Sequence, residues 1–347
     1  MYDVAIVGSG PAGASCAAFC AMAGLSTLVL ERAIFPREKV CGDCLNPSCW
    51  PVLERLGVAG EVRAAPHGKL SWVDFIDVTG RVMTTPLPAG ENAEIAIKRS
   101  LLDQILLRRA NSLGTEVREG ETLLSAVYVG HWKITTDHSE ERARVLVAAD
   151  GRNSTVAFLC NLMPRKGRDR VALQTHLPLP PDFGDRIVLR LLREGYSGQA
   201  PIGAGLLNLC LVSRPKDLSA IRRWAEQEFA ISADHGWRTI APLARAALPP
   251  GQPGLFLVGD AARVVEPFTG EGIYYALRSG ELAAAAIRAG DHRQYAAAHR
   301  KLYAGRLWIN ALARQAVEHP RLTTRLLRLL PNEKWALRFL TTKVVQP

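Results

Sequence analysis

The chain has 347 residues, 48% hydrophobic and 22% charged, enough apolar material for a sizeable core in one or two domains. No stretch approaches about eighteen uninterrupted apolar residues, which argues against a membrane-spanning helix. The seven cysteines, an odd number, suit free thiols in a reducing compartment better than a disulfide framework.

The net charge of +10 raises nucleic acid as a partner. The basic residues are dispersed, however, with local concentrations at 163–170 and 321–343, and no nucleic-acid module is recognisable. No nucleic acid is expected. The opening "MYDVAIVGSG" enters a strand at once, without a basic leader or cleavage site, so a cytoplasmic protein without a signal peptide is expected.

Val4 to Val7 form an apolar run suited to a buried parallel strand. Gly8-Ser9-Gly10-Pro11-Ala12-Gly13 follows as G-x-G-x-x-G. Its first glycine permits the turn, the second lets a pyrophosphate approach the backbone, and the third lets helix pack on strand. The helix then offers amides and a positive dipole end to phosphate, and its small residues Ala14, Ser15, Ala17 and Ala18 suit close packing. A second strand, Thr27 to Leu30, ends at Glu31 and Arg32, where a carboxylate can accept bonds from ribose hydroxyls. This much predicts a dinucleotide, either NAD or FAD.

The stretch "KVCGDCLNPSCW" places Cys41, Cys44 and Cys49 within twelve positions. A redox dithiol, a metal clip and an ordinary loop are the three readings. Three thiols with His67 as the nearest histidine make a poor zinc set, so no metal is expected. Residues 67–98 and 171–212 are strand-rich, and Arg99 opens the helical "KRSLLDQILLRRANSLG". Two further strands end in glycine–aspartate pairs, "VLVAADGRNST" at Asp150-Gly151 and "GLFLVGDAARVVEPFTGEG" at Gly259-Asp260. In the last third, "GIYYALRSGELAAAAIRAG" and "YAAAHRKLYAGRLWINALARQAVEHP" each predict a helix, and "RLTTRLLRLLPNEKW" predicts an amphipathic basic one, broken by Pro320 and Pro331.

Taken in this order, the motifs resemble the flavoprotein superfamily of aromatic hydroxylases, flavin-dependent halogenases and geranylgeranyl reductases. The resemblance spans nearly the whole chain. It implies an α/β fold of the glutathione-reductase type, with a parallel FAD-binding sheet and an antiparallel substrate sheet. The implied division is an FAD-binding domain from 1–66, 99–165 and 250–290, a substrate sheet from 67–98 and 166–249, and a helical segment at 291–347.

By the same resemblance Gly8, Gly10, Pro11, Ala12, Gly13, Glu31, Arg32 and Arg99 face FAD, and Asp150 supports its fold. Gly259 and Asp260 serve the ribityl chain, and Pro267, Thr269, Gly270, Glu271, Gly272 and Ile273 bring amides to the flavin ring. "FPREKVCGDCLNP" resembles the loop beside the flavin in geranylgeranyl reductases, with Lys39, Cys41 and Gly42 at matching positions. That favours an ordinary family loop in which Cys41 alone is functional. A C-x4-C disulfide reductase would need a second dinucleotide domain and a C-terminal His-Glu pair, and the sequence has neither.

The span 194–212 resembles the family's Tyr-x-Trp-x-Phe-Pro block, but Gly198 and Ala200 replace the bulky residues while Tyr196, Pro201 and Asn208 stay. The exchange leaves more room over the flavin. Cys41 and Tyr196 are the expected proton donors, ahead of the isolated His176 and His235.

The expected function is FAD-dependent redox chemistry on a hydrophobic small molecule. Hydroxylation of an aromatic, polyketide-like or lipid substrate comes first and reduction of isoprenoid double bonds second. Halogenation and dithiol exchange stand behind both. NAD(P)H or a separate reductase is expected to supply electrons, and the basic C-terminus to touch a membrane surface peripherally.

Overall fold

The computed structural model describes residues 1–164, 170–329, 341 and 343. Its largest sheet has eight strands: β1 (Tyr2–Val7), β2 (Thr27–Glu31), β8 (Glu116–Glu119), β9 (Leu123–Tyr128), β10 (Trp132–Thr136), β11 (Glu140–Ala148), β17 (Gly251–Gln252) and β18 (Leu255–Leu257). The order β18-β11-β1-β2-β8 is parallel throughout, and β9, β10 and β17 add antiparallel edges. Val4, Ala5 and Ile6 are fully buried, as strands covered on both faces require.

Helices α1 (Pro11–Met22), α4 (Arg99–Ser112) and α7 (Gly272–Ala289) cover one face. Small residues make this possible. A Cβ on Gly280 of α7 would meet Ala12 O of α1 at 2.4 Å, and Ser15 Oγ donates to Leu277 O. The helices therefore touch backbone to backbone, a use of the small residues of α1 beyond packing on the sheet. Helices α2 (Trp50–Leu56) and α3 (Ala59–Ala64) join this layer, and α5 (Thr155–Leu159) packs on the opposite face.

A second sheet of seven strands comprises β5 (Trp72–Ile76), β6 (Val82–Pro86), β12 (Val171–Pro178), β13 (Arg186–Leu192), β14 (Gly195–Pro201), β15 (Leu206–Ser213) and β16 (Arg238–Ile240), with α6 (Leu218–Glu228) against it. It is not wholly antiparallel as expected: β5 and β13 run parallel. The two are far apart in sequence and no hairpin joins them, so either direction was open. A small third sheet, β3 (Cys44–Leu45), β4 (His67–Lys69) and β7 (Ile95–Ile97), joins the two large ones.

After α7 come α8 (His292–Tyr303), α9 (Leu307–Glu318) and α10 (Pro320–Leu329). The single helix expected over "YAAAHRKLYAGRLWINALARQAVEHP" is two, divided at Gly305, whose φ is 78°. Pro320 opens α10 at its first helical position, where its missing N–H has no partner to lose. The break expected at Pro331 and part of the basic stretch 163–170 lie outside the described residues.

Candidate FAD and substrate site

The dinucleotide turn is built by steric necessity. A Cβ on Gly13 would lie 1.9 Å from Gly8 O, and one on Gly8, at φ 96°, would lie 2.6 Å from Ala149 O. Helix α1 therefore springs directly from β1, with its N-terminal amides open towards Gly10. Glu31, at the end of β2, accepts bonds from Ser9 N and Ser9 Oγ, both 2.9 Å, and from Ala33 N at 3.0 Å.

Three cations converge on this turn. A Cβ on Gly10 would lie 3.7 Å from Arg37 Nη2 and 3.9 Å from Arg99 Nη2, and one on Gly151 would lie 3.5 Å from Lys39 Nζ. Asp103, fully buried, pairs with Arg99 at 2.8 Å and Arg37 at 3.0 Å. Asp260 pairs with Arg152 at 3.0 Å. Desolvation, reinforced by Arg99 and Arg37, pushes the Lys39 ammonium down to about 8. An open glycine turn ringed by under-neutralised cations fits the pyrophosphate of a dinucleotide, so these residues suit FAD.

A cavity of about 850 Å³ runs from this turn to the face of the second sheet. Gly10, Pro11, Ala12, Lys39, Cys41, Gly42, Arg99 and Asp260 line its inner wall, joined by Pro267, Thr269, Gly270, Gly272 and Ile273 from the loop into α7. Tyr196, Gly198 and Ala200 alternate along β14 and line the sheet wall together. Tyr196 is buried, meets Phe268 edge-on at 5.1 Å, and its hydroxyl lacks a hydrogen-bond partner. Ile309, Leu312, Leu322 and Leu326 of α9 and α10 also line the cavity.

Several predicted residues lie behind that wall. Gly8, Gly13 and Gly259 shape backbone; a Cβ on Gly259 would lie 2.9 Å from Ala12 Cβ. Asp150 accepts from Val156 N at 3.1 Å and holds the start of α5. Arg32 is exposed. Glu271 keeps its backbone in the loop that opens α7, while its carboxylate turns to Arg306, to Asn310 Nδ2 at 3.2 Å and to Tyr275 OH at 3.1 Å, fastening α7 to α9.

The cysteine loop resolves residue by residue. Cys41 lines the cavity; burial raises its thiol, while the neighbouring Arg99 favours the thiolate. Cys44 also reaches the cavity, and Cys49 is fully buried against the core of the first sheet. All seven cysteines are free, and no metal-ligand cluster exists among the described residues.

The carbonyl of Cys41 receives Gln174 Nε2 at 2.9 Å, Asn208 Nδ2 at 3.0 Å and Cys210 Sγ at 3.1 Å. These donors stand on β12 and β15, so the substrate sheet clamps the loop. Asp43 sits beside them in left-handed backbone, φ 59°, with His176 Nε2 3.3 Å from its Oδ2. Burial raises the Asp43 carboxyl although His176 and Arg99 oppose it. His176 is thus part of this clamp, whereas His235 bonds Thr175 Oγ1 at 2.5 Å on the other side of β12. Sequence reasoning missed Asp43, Gln174, Cys210 and the cavity-facing Glu94. Only Asp43, next to Cys41-Gly42, carried a local signal.

Comparison with known proteins agrees with this geometry. Residues 1–180 match the FAD binding domain family. A menaquinone reductase of Mycobacterium tuberculosis is 30% identical over 339 residues, 90% of this chain and 79% of that protein. A digeranylgeranylglycerophospholipid reductase of Thermoplasma volcanium is 26% identical over 82% of this chain and 77% of that protein. Among solved structures, a flavin-dependent brominase superposes with a TM-score of 0.79 at 23% identity, covering 98% of this chain and 93% of that one. No described helix is long and apolar enough to cross a membrane. The chain belongs to the FAD-binding-domain family of flavoproteins and is an FAD-dependent oxidoreductase.

Proposed function

We propose that this enzyme reduces a carbon–carbon double bond in an elongated, apolar, isoprenoid-like substrate. The observation that carries the reading is the cavity's continuity from the dinucleotide turn to the apolar sheet wall and the leucines of α10. The similarity to reductases of menaquinone and of a digeranylgeranyl lipid supports it. Hydroxylation, placed first on the sequence alone, becomes the second reading. Gly198 and Ala200 favour neither, since a roomy wall suits either substrate.

Arg37, Lys39 and Arg99 would hold the FAD pyrophosphate, with Asp260 and the loop 267–273 around the rest of the cofactor. Bound and reduced, FAD would supply an electron pair as hydride for one alkene carbon; NAD(P)H or a separate reductase is the proposed electron source. Cys41 holds the proton for the other carbon. Burial keeps its thiol protonated at neutral pH, and Arg99 beside it stabilises the thiolate left after transfer. Tyr196, with a buried and unpartnered hydroxyl, is the second donor within the same cavity. The apolar wall excludes water from both.

Leu322, Leu326 and Leu329 of α10 are exposed, and Arg321, Arg325 and Arg328 stand among them. This combination suits peripheral contact with an anionic membrane through which a lipid substrate reaches the cavity. Flotation with anionic vesicles checks it: replacing the three leucines with serine should abolish co-flotation.

The reaction type is tested by incubating the reduced holoenzyme anaerobically with a panel of prenyl lipids and alkylated phenols. A mass gain of two hydrogens without oxygen supports reduction. A gain of one oxygen atom, seen only in air, overturns it in favour of hydroxylation.

A further inference from the structure

Glu94 precedes β7 in "GENAEIAIKRS", a stretch that carries no motif. Along β7, Ile95 and Ile97 enter the core of the first sheet, while Ala96 joins the cluster of Val73, Leu87, Ile187 and Ala200 on the cavity side. Side chains alternate along a strand, so Glu94 points with Ala96 into the cavity, which it lines. It is 6% exposed, and among the described residues no hydrogen bond or ion pair reaches its carboxyl. Desolvation pushes that carboxyl up to about 8, so at neutral pH it is an uncharged O–H donor with nothing to donate to.

Its position in the cavity follows from β5. Val73, at one end of the strand, packs in the cluster of Ala96, whereas Val78 N, just past the other end, donates to Thr324 Oγ1 of α10 at 3.4 Å. At about 3.3 Å per residue, β5 runs from the cluster that holds Ala96 towards α10, and Glu94 and the α10 leucines line the same cavity. The walls between them, from β5, β13 and β14, are mainly apolar.

We propose that Glu94 is a specificity-determining residue that donates a hydrogen bond to a carbonyl or ether oxygen at the inner end of the substrate. This deepens the reading above, resting on the cavity being the substrate chamber. The substrate is then an amphiphile with an uncharged, hydrogen-bond-accepting group held inside and its hydrocarbon extending towards α10. A carboxylate or phosphate is disfavoured at the inner end, because ionisation of Glu94 beside it would set like charges together. The group acts by binding and carries no part of the redox step.

The test uses oxidised, FAD-loaded full-length protein and two probes of one shape, 1-tetralone and tetralin, which differ by a carbonyl oxygen. Calorimetric titration at pH 7 should show a preference for the ketone of roughly 3- to 10-fold, the size of one neutral hydrogen bond. Glu94→Gln, whose amide still donates, should keep the preference. Glu94→Leu should lose it while binding tetralin at least as well, with unchanged FAD content as the folding check. A Glu94→Leu protein that still prefers the ketone, or a wild type without preference, overturns the assignment. Ala200→Phe separates the two levels. If that substitution in the chamber wall leaves the binding of both probes untouched, the chamber reading itself fails.

Discussion

Arg99 grips Asp103, one turn further along α4, with two parallel bonds of 2.9 and 2.8 Å, and both side chains are buried. Asp103 also pairs with Arg37, so one carboxylate holds two guanidiniums over the dinucleotide turn. Removing it leaves two like charges facing each other in a poorly solvated place.

Asp103→Asn should therefore destabilise the FAD-free protein by about 3 kcal/mol, the usual result of leaving a buried charge unpaired. FAD brings negative charge to the same guanidiniums and should restore part of the loss. Urea midpoints with and without excess FAD measure this. An equal loss in both conditions would show that Asp103 acts only inside the fold.

Glycine positions offer a sharper contrast. Gly13→Ala forces a Cβ to within 1.9 Å of Gly8 O, pushing α1 off β1, and should give colourless or insoluble protein. Gly42 also lies in the site, but a Cβ there has nothing within 4 Å. Gly42→Ala should stay yellow. The absorbance ratio of flavin to protein after purification decides both, and a fully loaded Gly13→Ala would contradict the turn's assignment.

The glycine turn was legible in the sequence because its geometry is local: six residues dictate where a strand must stop and a helix begin. The parallel pairing of β5 with β13 was not, since the register Val73 to Ile187 joins segments more than a hundred residues apart. The partner of the Glu271 side chain was hidden for a related reason. The motif position of Glu271 is at the flavin loop, but Arg306, beyond α7 and α8, captures its side chain. Glu94 left no trace because one acid in a polar loop looks solvated until Ala96 and Cys44 show which way the strand faces.

The thiols should behave unequally. Cys41→Ser should lower turnover roughly 100-fold, the smaller end of what a positioned proton donor contributes. Cys44→Ala should keep the rate, because its thiol borders the cavity without a cation beside it, and burial raises it well above its usual value. Cys49→Ala should keep the rate too and lose only stability, since the thiol is sealed in the core. Turnover in which the Cys44 and Cys49 variants are the inactive ones would instead indicate electron transfer through a dithiol.

Stability should fall as pH rises from about 4.5 to about 8, in so far as Glu94 controls it. Burial lifts its carboxyl from 4.5 to about 8, so within that window the folded protein keeps a proton that the unfolded chain has released. At about 1.4 kcal/mol per pH unit, the destabilisation reaches a few kcal/mol once both states are ionised. Lys39 acts in the opposite sense at higher pH: its ammonium, pushed down from 10.5 to about 8, adds stability between those values. Glu94→Gln keeps the shape and removes the titration, and Lys39 is common to both proteins. The difference in unfolding free energy should therefore be small at pH 4.5 and grow in favour of the glutamine variant up to pH 8. A difference that stays flat across this range would mean that water or a chain partner already solvates the carboxyl, and Glu94 would then have no unmet bond to offer a substrate.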